Sequence, residues 1–133
     1  MNTKHLLMAK YISILAYAYT FFIVFASLGK FAINFLPSEV SNSDKINHFM
    51  AYAFLSFVWS AFFYLKKNIT IVRVLLFSLL FSVLFGVLME CSQWLFTSYR
   101  QFDYYDIIAN LLGSLTGILF FCIYFVLIRK KEA

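Results

Sequence analysis

The sequence predicts an all-α integral membrane protein, a four-transmembrane-helix bundle with both termini in the cytoplasm. Three observations support this fold class. The 133 residues are 63% hydrophobic and only 13% charged, whereas about a quarter of the residues in soluble domains are charged. The apolar residues form four runs, each close to the roughly 20 residues that cross a bilayer. Short polar segments separate the runs, so residues 1–133 are expected to form a single domain.

The predicted spans are residues 11–29, 46–65, 71–96 and 107–128. Each span must be a helix, because backbone groups in lipid have to pair within their own segment. The first span follows Lys4 and Lys10 and is longer than the apolar part of a signal peptide. It is therefore expected to be retained as a membrane helix.

The later spans carry their own start and packing signals. Before the second span lies a loop with the only proline of the chain, and Ser43 or Asp44 is the expected N-cap. The third span is the longest apolar run. The fourth contains Gly113 and Gly117, whose spacing is typical of helices that pack closely in membranes.

Basic residues predict the orientation of the bundle. They are concentrated before the first span, around the connection between the second and third, and after the fourth: Lys4, Lys10, Lys66, Lys67, Arg73, Arg129, Lys130 and Lys131. Cytoplasmic segments of membrane proteins are enriched in Lys and Arg. The loops around residues 37–45 and 97–106 are therefore expected to face outward. Because the basic residues flank spans, they do not indicate a nucleic-acid partner.

Acidic residues are concentrated toward the predicted outer face. Five of the six are Glu39, Asp44, Glu90, Asp103 and Asp106, and the sixth is Glu132 in the C-terminal tail. Acids contribute little to orientation, so their position needs another explanation. An Asp near the centre of a span costs about 2.5–3.5 kcal/mol, which makes an intramembrane acid functional or partnered. Glu90 is therefore expected to meet a base from another segment: Lys45, His48 or Arg100.

Polar side chains recur at helical spacing near the outer ends of three spans. Residues three or four apart share one face of a helix. The sets are Asp44, His48 and Tyr52; Glu90 and Gln93; and Asp106 and Asn110, with Lys45, Arg100 and Asp103 beside them. Any one of these residues alone is explained as a cap or a structural hydrogen-bonding group. Their common depth instead predicts one outward-facing polar site.

The chemistry of these residue types suggests their roles. The predicted catalytic residues are His48, Glu90, Asp106 and Asp103, and the predicted substrate-binding residues are Lys45, Arg100, Asp44, Tyr52, Gln93 and Asn110. An imidazole titrates near neutral pH and suits general acid or base catalysis. Lys and Arg can hold a phosphate. Asp103 and Asp106 could orient His48 or hold a cation, but the spacing matches no metal motif, so no metal site is predicted and the cofactor is left open.

The ordered pattern resembles the VanZ-like family of small bacterial membrane proteins. It consists of D-K-x-x-H-x-x-x-Y at residues 44–52, E-x-x-Q at 90–93 and R-x-x-D-x-x-D-x-x-x-N-x-x-G-x-x-x-G at 100–117. The family is named for a protein associated with teicoplanin resistance in Gram-positive bacteria. The resemblance implies a multi-pass protein of the bacterial cytoplasmic membrane with a role in the cell envelope. It does not imply that this chain confers glycopeptide resistance.

Three functions are compatible with such a site. The first is an enzyme acting on a lipid-linked envelope intermediate or a phospholipid head group, an activity that has been proposed for proteins of this kind. The second is a non-catalytic module that binds a head group, an antibiotic or a partner protein. The third is a proton or ion pathway, which the sequence disfavours because Arg73 is the only ionisable residue in the inner halves of the spans. Catalysis and the oligomeric state stay open at this point.

Overall fold

A computed structural model describes residues 3–29, 43–65, 69–98 and 100–132. They contain four helices: α1 Thr3–Leu28, α2 Ser43–Tyr64, α3 Ile71–Phe96 and α4 Tyr104–Glu132. All four are long and apolar enough to cross a membrane, and the described ranges contain no strand. The predicted all-helical, four-span fold class is therefore confirmed. The cytoplasmic location of the termini stays a prediction.

The helix boundaries differ most from the predicted spans at the starts of α1, α2 and α4 and at the end of α4, which extends to Glu132. Helix α1 begins at Thr3 rather than at residue 11, because its basic first turns contain no residue that breaks a helix. Helix α2 begins at Ser43, so Ser43 and Asp44 both lie in its first turn and neither predicted residue is the N-cap. Helix α4 begins at Tyr104, three residues earlier than predicted. Asp103 caps it, since its Oδ1 accepts the N–H of Tyr105 at 2.8 Å.

Helix α2 organises the bundle, because it packs against each of the other three helices and most extensively against α4. Its buried side chains, including Leu55 and Trp59, form the centre of an apolar core with Ala16 and Ile23 of α1. The indole N–H of Trp59 donates to Thr20 Oγ1 at 3.0 Å. This bond satisfies the polar atom of a large core side chain and fixes α1 against α2.

Two glycines allow α2 and α4 to approach closely. A Cβ atom on Gly113 would overlap the carbonyl group of Phe49, and one on Gly117 would overlap the carbonyl group of Ala53. The prediction that Gly113 and Gly117 form a packing face is confirmed. This contact lies immediately below the polar residues at the start of both helices, so it sets the distance between their side chains.

Some predicted features lie outside the described residues. They are the proline-containing loop with Glu39 and the basic pair Lys66 and Lys67.

Candidate functional site

Three helix ends and one connecting segment meet at one end of the bundle. They are the first turns of α2, the last turns of α3, residues 100–103 and the first turns of α4. Side-chain contacts join these segments. Lys45 of α2 contacts Asp103, 58 residues later in the sequence, and His48 of α2 contacts Asn110 of α4, 62 residues later. The predicted polar residues of α2 and α4 therefore come together in the structure. We call this group, with its members Asp44, Lys45, His48, Glu90, Arg100, Asp103, Asp106 and Asn110, the polar cluster.

His48 lies at the centre of the polar cluster, with a partner on each ring nitrogen. Its Nδ1 is 3.1 Å from Asn110 Oδ1. An amide oxygen can only accept, so the proton of this bond belongs to Nδ1. Its Nε2 is 3.5 Å from Asp106 Oδ2 and 4.0 Å from Asp44 Oδ1. The side chain of His48 is only 11% exposed and that of Asp106 only 5%, so the ring orientation is fixed within the bundle.

Lys45 connects α2 to the start of α4. Its Nζ donates to Asp103 Oδ2 at 3.0 Å and lies 3.7 Å from Asp106 Oδ1. The pKa of Asp103 is lowered from its ordinary value, chiefly by the N–H of Tyr105 and then by the hydrogen bond from Lys45. Asp103 therefore has two structural tasks, because one oxygen caps α4 and the other holds the ammonium group.

Arg100 closes the outer side of the polar cluster. Its Nη2 donates to Asp44 Oδ1 at 3.2 Å, and its Nη1 lies 3.5 Å from His48 Nε2. Asp44 is half-exposed, and Arg100 is about one-third exposed. Exposed ion pairs of this kind are weak, so this guanidinium can exchange its partners for those of a ligand.

Glu90 is buried at the end of α3, with 2% of its surface exposed. Its Oε1 accepts the backbone N–H of Asp103 at 3.0 Å, while Oε2 has no hydrogen-bond partner among the described residues. None of the predicted bases Lys45, His48 and Arg100 is a hydrogen-bond partner of Glu90 among the described residues, although His48 and Arg100 lie near enough to interact with its charge. A carboxylate is equally satisfied by a peptide N–H, and such a donor carries no residue-type signal in a sequence.

Two predicted substrate-binding residues make no hydrogen bond to the polar cluster among the described residues. The Gln93 side chain donates to the carbonyl oxygen of Ser27 at 3.3 Å, and so ties α3 to α1. Tyr52 is 2% exposed and belongs to the apolar core, and its hydroxyl has no hydrogen-bond partner within the described chain. Helical spacing predicted that Tyr52 shares a face of α2 with His48, and that Gln93 shares a face of α3 with Glu90. It did not show which neighbouring helix that face would meet.

A cavity of about 500 Å³ adjoins the polar cluster. Its lining residues are Asp44, Arg100, Gln101, Phe102, Asp103 and Asp106. This volume falls within the usual range for small-molecule sites, roughly 300–1,000 Å³. Gln101 and Phe102 were not predicted, and the only signal for them was their position between Arg100 and Asp103. Asp44 and Asp106, the two carboxylates beside His48 Nε2, both reach this cavity.

The polar cluster carries more negative than positive charge. Its four carboxyl groups, on Asp44, Glu90, Asp103 and Asp106, face the two permanent cations on Lys45 and Arg100. Asp44, His48 and Asp106 also bring three possible metal-ligand atoms within 4.8 Å of one another. The arrangement can therefore hold a proton on His48, a cation between the carboxylates, or a ligand with a positively charged part.

Comparison with known proteins identifies the family. The family model described as VanZ/LLP1 matches residues 3–127. No curated protein and no solved structure matches the chain.

Proposed function

Because the chain belongs to the VanZ/LLP1 family of membrane proteins, we propose that its polar cluster binds and chemically converts a phosphate-bearing head group. The head group belongs to a phospholipid or to a lipid-linked envelope intermediate in the outer leaflet of the bacterial cytoplasmic membrane. One observation carries the proposal. A histidine held on both ring nitrogens lies beside two carboxylates that line a cavity at one end of the spans.

The depth of the polar cluster suits a head group. Its residues lie in the terminal turns of α2, α3 and α4 and in residues 100–103. At 1.5 Å per residue, two helical turns reach only about 11 Å into a hydrocarbon core that is about 30 Å thick. A lipid can therefore leave its tails between the apolar outer faces of the helices while its head group enters the cavity. A transported ion would instead need polar groups near the midplane.

The charges of the polar cluster suit the two ends of a phosphate-bearing group. Arg100 is the more exposed cation, and its guanidinium can bind two phosphate oxygens at once. Lys45 lies across the cluster from it, held by Asp103 and Asp106. The carboxylates between the two cations can bind a positively charged part of the same ligand. A bare polyanion has no such part.

His48 is the proposed general acid and base. In the neutral ring, Nδ1–H donates to Asn110, which leaves the lone pair of Nε2 beside Asp106. This nitrogen can take a proton from an attacking water or hydroxyl and return it to the leaving oxygen, so the proton count is unchanged after one turnover. In the protonated ring, Asp44 and Asp106 stabilise the positive charge. Asn110 and Asp106 therefore act as positioning residues for the imidazole.

The test is a conversion assay on the purified chain in lipid nanodiscs. Phospholipids and lipid-linked envelope precursors are supplied separately, and their masses are measured before and after incubation. We expect one substrate class to change mass with the wild type, and His48→Gln to abolish the change. Ser92→Ala is the matched control, because its exposed hydroxyl donates to the carbonyl of Leu88 on its own helix and bonds to no other described residue.

Measurements of lipid binding distinguish the enzyme hypothesis from the non-catalytic binding module. We expect Arg100→Ala to weaken binding of the converted lipid, measured by native mass spectrometry, while His48→Gln retains binding and loses turnover. Unchanged lipid masses together with Arg100-dependent binding would support the non-catalytic module and overturn the enzymatic proposal. Absence of both would overturn the head-group site altogether.

A further inference from the structure

We propose that Asp44, His48 and Asp106 form a binding site for a divalent transition metal ion of the Zn²⁺ type. Each residue offers one donor atom, and the three atoms lie within 4.8 Å of one another. Asp44 and His48 come from successive turns of α2, and Asp106 comes from the first turn of α4. The sequence did not predict this site, because its ligands come from helices 58 or more residues apart.

The distances fit a small metal ion. Two ligands bound at about 2.1 Å in a tetrahedral zinc site are separated by roughly 3.4 Å. His48 Nε2 and Asp106 Oδ2 are 3.5 Å apart. His48 Nε2 and Asp44 Oδ1 are 4.0 Å apart, and the Asp44 side chain is 51% exposed, so it can rotate inward once Arg100 releases it. Three protein ligands and one open position are the arrangement of catalytic zinc sites.

The hydrogen bond to Asn110 prepares His48 for this role. Because Nδ1–H donates to Asn110 Oδ1, the lone pair of the neutral ring is on Nε2, the nitrogen that faces the two carboxylates. Histidines that bind metals almost always donate their other N–H to a carbonyl, carboxylate or water. Asn110 therefore fixes the tautomer that a metal ion needs.

A second observation also indicates a missing partner. Asp106 Oδ1 is buried and makes no hydrogen bond with any described residue. The nearest cation is the Lys45 ammonium at 3.7 Å, beyond hydrogen-bonding distance. A buried carboxylate oxygen without a hydrogen bond is energetically unfavourable. Asp106 Oδ2, not Oδ1, faces His48 Nε2, so a metal ion would satisfy Oδ1 by binding both oxygens of this carboxylate. It would also offset the excess negative charge of the polar cluster.

Arg100 competes with the metal ion. Its guanidinium contacts both Asp44 Oδ1, at 3.2 Å, and His48 Nε2, at 3.5 Å. Metal binding must displace this group, and the displaced guanidinium is then available for a phosphate oxygen. This last step rests on the proposed function, whereas the metal site itself does not. An imidazole ligand favours Zn²⁺ over Mg²⁺ and Ca²⁺, which prefer all-oxygen sites.

The test is titration of Zn²⁺ alone into the full chain, purified in detergent with a tag that contains no histidine. Isothermal titration calorimetry should give one ion per chain. We expect His48→Gln, Asp44→Asn and Asp106→Asn each to weaken binding at least about tenfold. Asp103→Asn is the matched control, because it removes the same charge nearby without removing a ligand. We expect its affinity to stay within about threefold of the wild type.

Arg100→Ala should change the Zn²⁺ affinity in the opposite direction. Removing the competing guanidinium should tighten Zn²⁺ binding, although the same change should weaken lipid binding if the proposed function holds. Failure of the metal site and failure of the head-group site are therefore distinguishable. Equal losses in Asp103→Asn and Asp106→Asn, or no binding by the wild type, would overturn the metal proposal. Should Asp106→Asn fail to fold, as judged by circular dichroism, Asp44→Asn at a half-exposed position still decides the outcome.

Discussion

Replacing Gly113 with alanine should separate α2 from α4 and damage both the fold and the polar cluster. A Cβ atom at this position would lie 2.9 Å from the carbonyl carbon of Phe49 and would overlap its carbonyl oxygen. Carbon atoms pack at about 3.5–4.0 Å, so the helices must move apart by roughly 0.6–1.1 Å. Backbone atoms cannot rotate away as a flexible side chain can, which leaves helix displacement as the available response.

The same displacement acts on His48. Its Nδ1 is 3.1 Å from Asn110 Oδ1, and a shift of this size would stretch the distance to about 4 Å, beyond hydrogen-bonding range. Overpacking costs about 1–3 kcal/mol, and a lost interhelical hydrogen bond in a membrane about 0.6 kcal/mol. Gly86→Ala is the matched control. Its Cβ would lie 3.1 Å from Tyr52 Cε1 and 3.2 Å from Asn110 Nδ2, both in side chains that can adjust.

Reversible unfolding in mixed micelles measures the effect. Alanine stabilises a helix by about 1 kcal/mol relative to glycine. Both variants replace glycine with alanine, so this contribution cancels when their stabilities are compared. Gly113→Ala should therefore be less stable than Gly86→Ala by about 2 kcal/mol, from the overpacking and hydrogen-bond losses together. Equal stability of the two variants, within about 0.5 kcal/mol, would refute the inferred close approach, since mutational differences of this size are ordinary surface effects.

Two further predictions concern Glu90 and Asp103. Glu90→Gln keeps an acceptor for the Asp103 N–H, whereas Glu90→Leu leaves that N–H unpaired; the leucine variant should unfold at a lower temperature by an amount equivalent to about 1–3 kcal/mol, and equal melting temperatures would contradict the assigned bond. The lowered pKa of Asp103 implies stabilisation that is present above the ordinary Asp pKa near 4 and is lost as pH falls through the lowered folded value. Below about pH 4, the melting temperature should therefore fall less steeply with decreasing pH in Asp103→Asn than in the wild type. Equal slopes for the two proteins would contradict the contribution of Asp103.

The charge of the polar cluster connects the proposed function with the proposed metal site. Four carboxyl groups and two permanent cations leave an excess of negative charge, which by itself repels a phosphate. A divalent ion between Asp44, His48 and Asp106 would cancel this excess. It would also release Arg100 from its contacts with Asp44 and His48. A metal ion on His48 Nε2 would occupy the lone pair that the proposed general base uses, because both roles fall on the same nitrogen. Lipid conversion that increases with added Zn²⁺ would therefore favour the metal role of His48, and conversion that is lost with added Zn²⁺ would favour the general-base role.

The sequence predicted the contacts of some polar residues and not those of others. Asp44 and His48 share a helix face by spacing alone, and their depth followed from the span boundaries. Gln93 met the same criteria, yet it bonds to Ser27 of α1. Glu90 was identified as a buried acid in need of a partner, but that partner is a backbone N–H in residues 100–103. Spacing gives the face and the depth of a side chain, and it does not give the element that the face meets.

The sequence by itself determined the four membrane helices, because the thickness of the hydrocarbon core fixes their length and the absence of water fixes their hydrogen bonding. It also determined that polar groups gather near one end of the spans. Only the tertiary structure decided which of these groups meet. The rotation and separation of α2 and α4 depend on glycine contacts with the backbone at Phe49 and Ala53. Those contacts bring His48 to Asn110 and Asp106, in an arrangement that no residue pattern encodes.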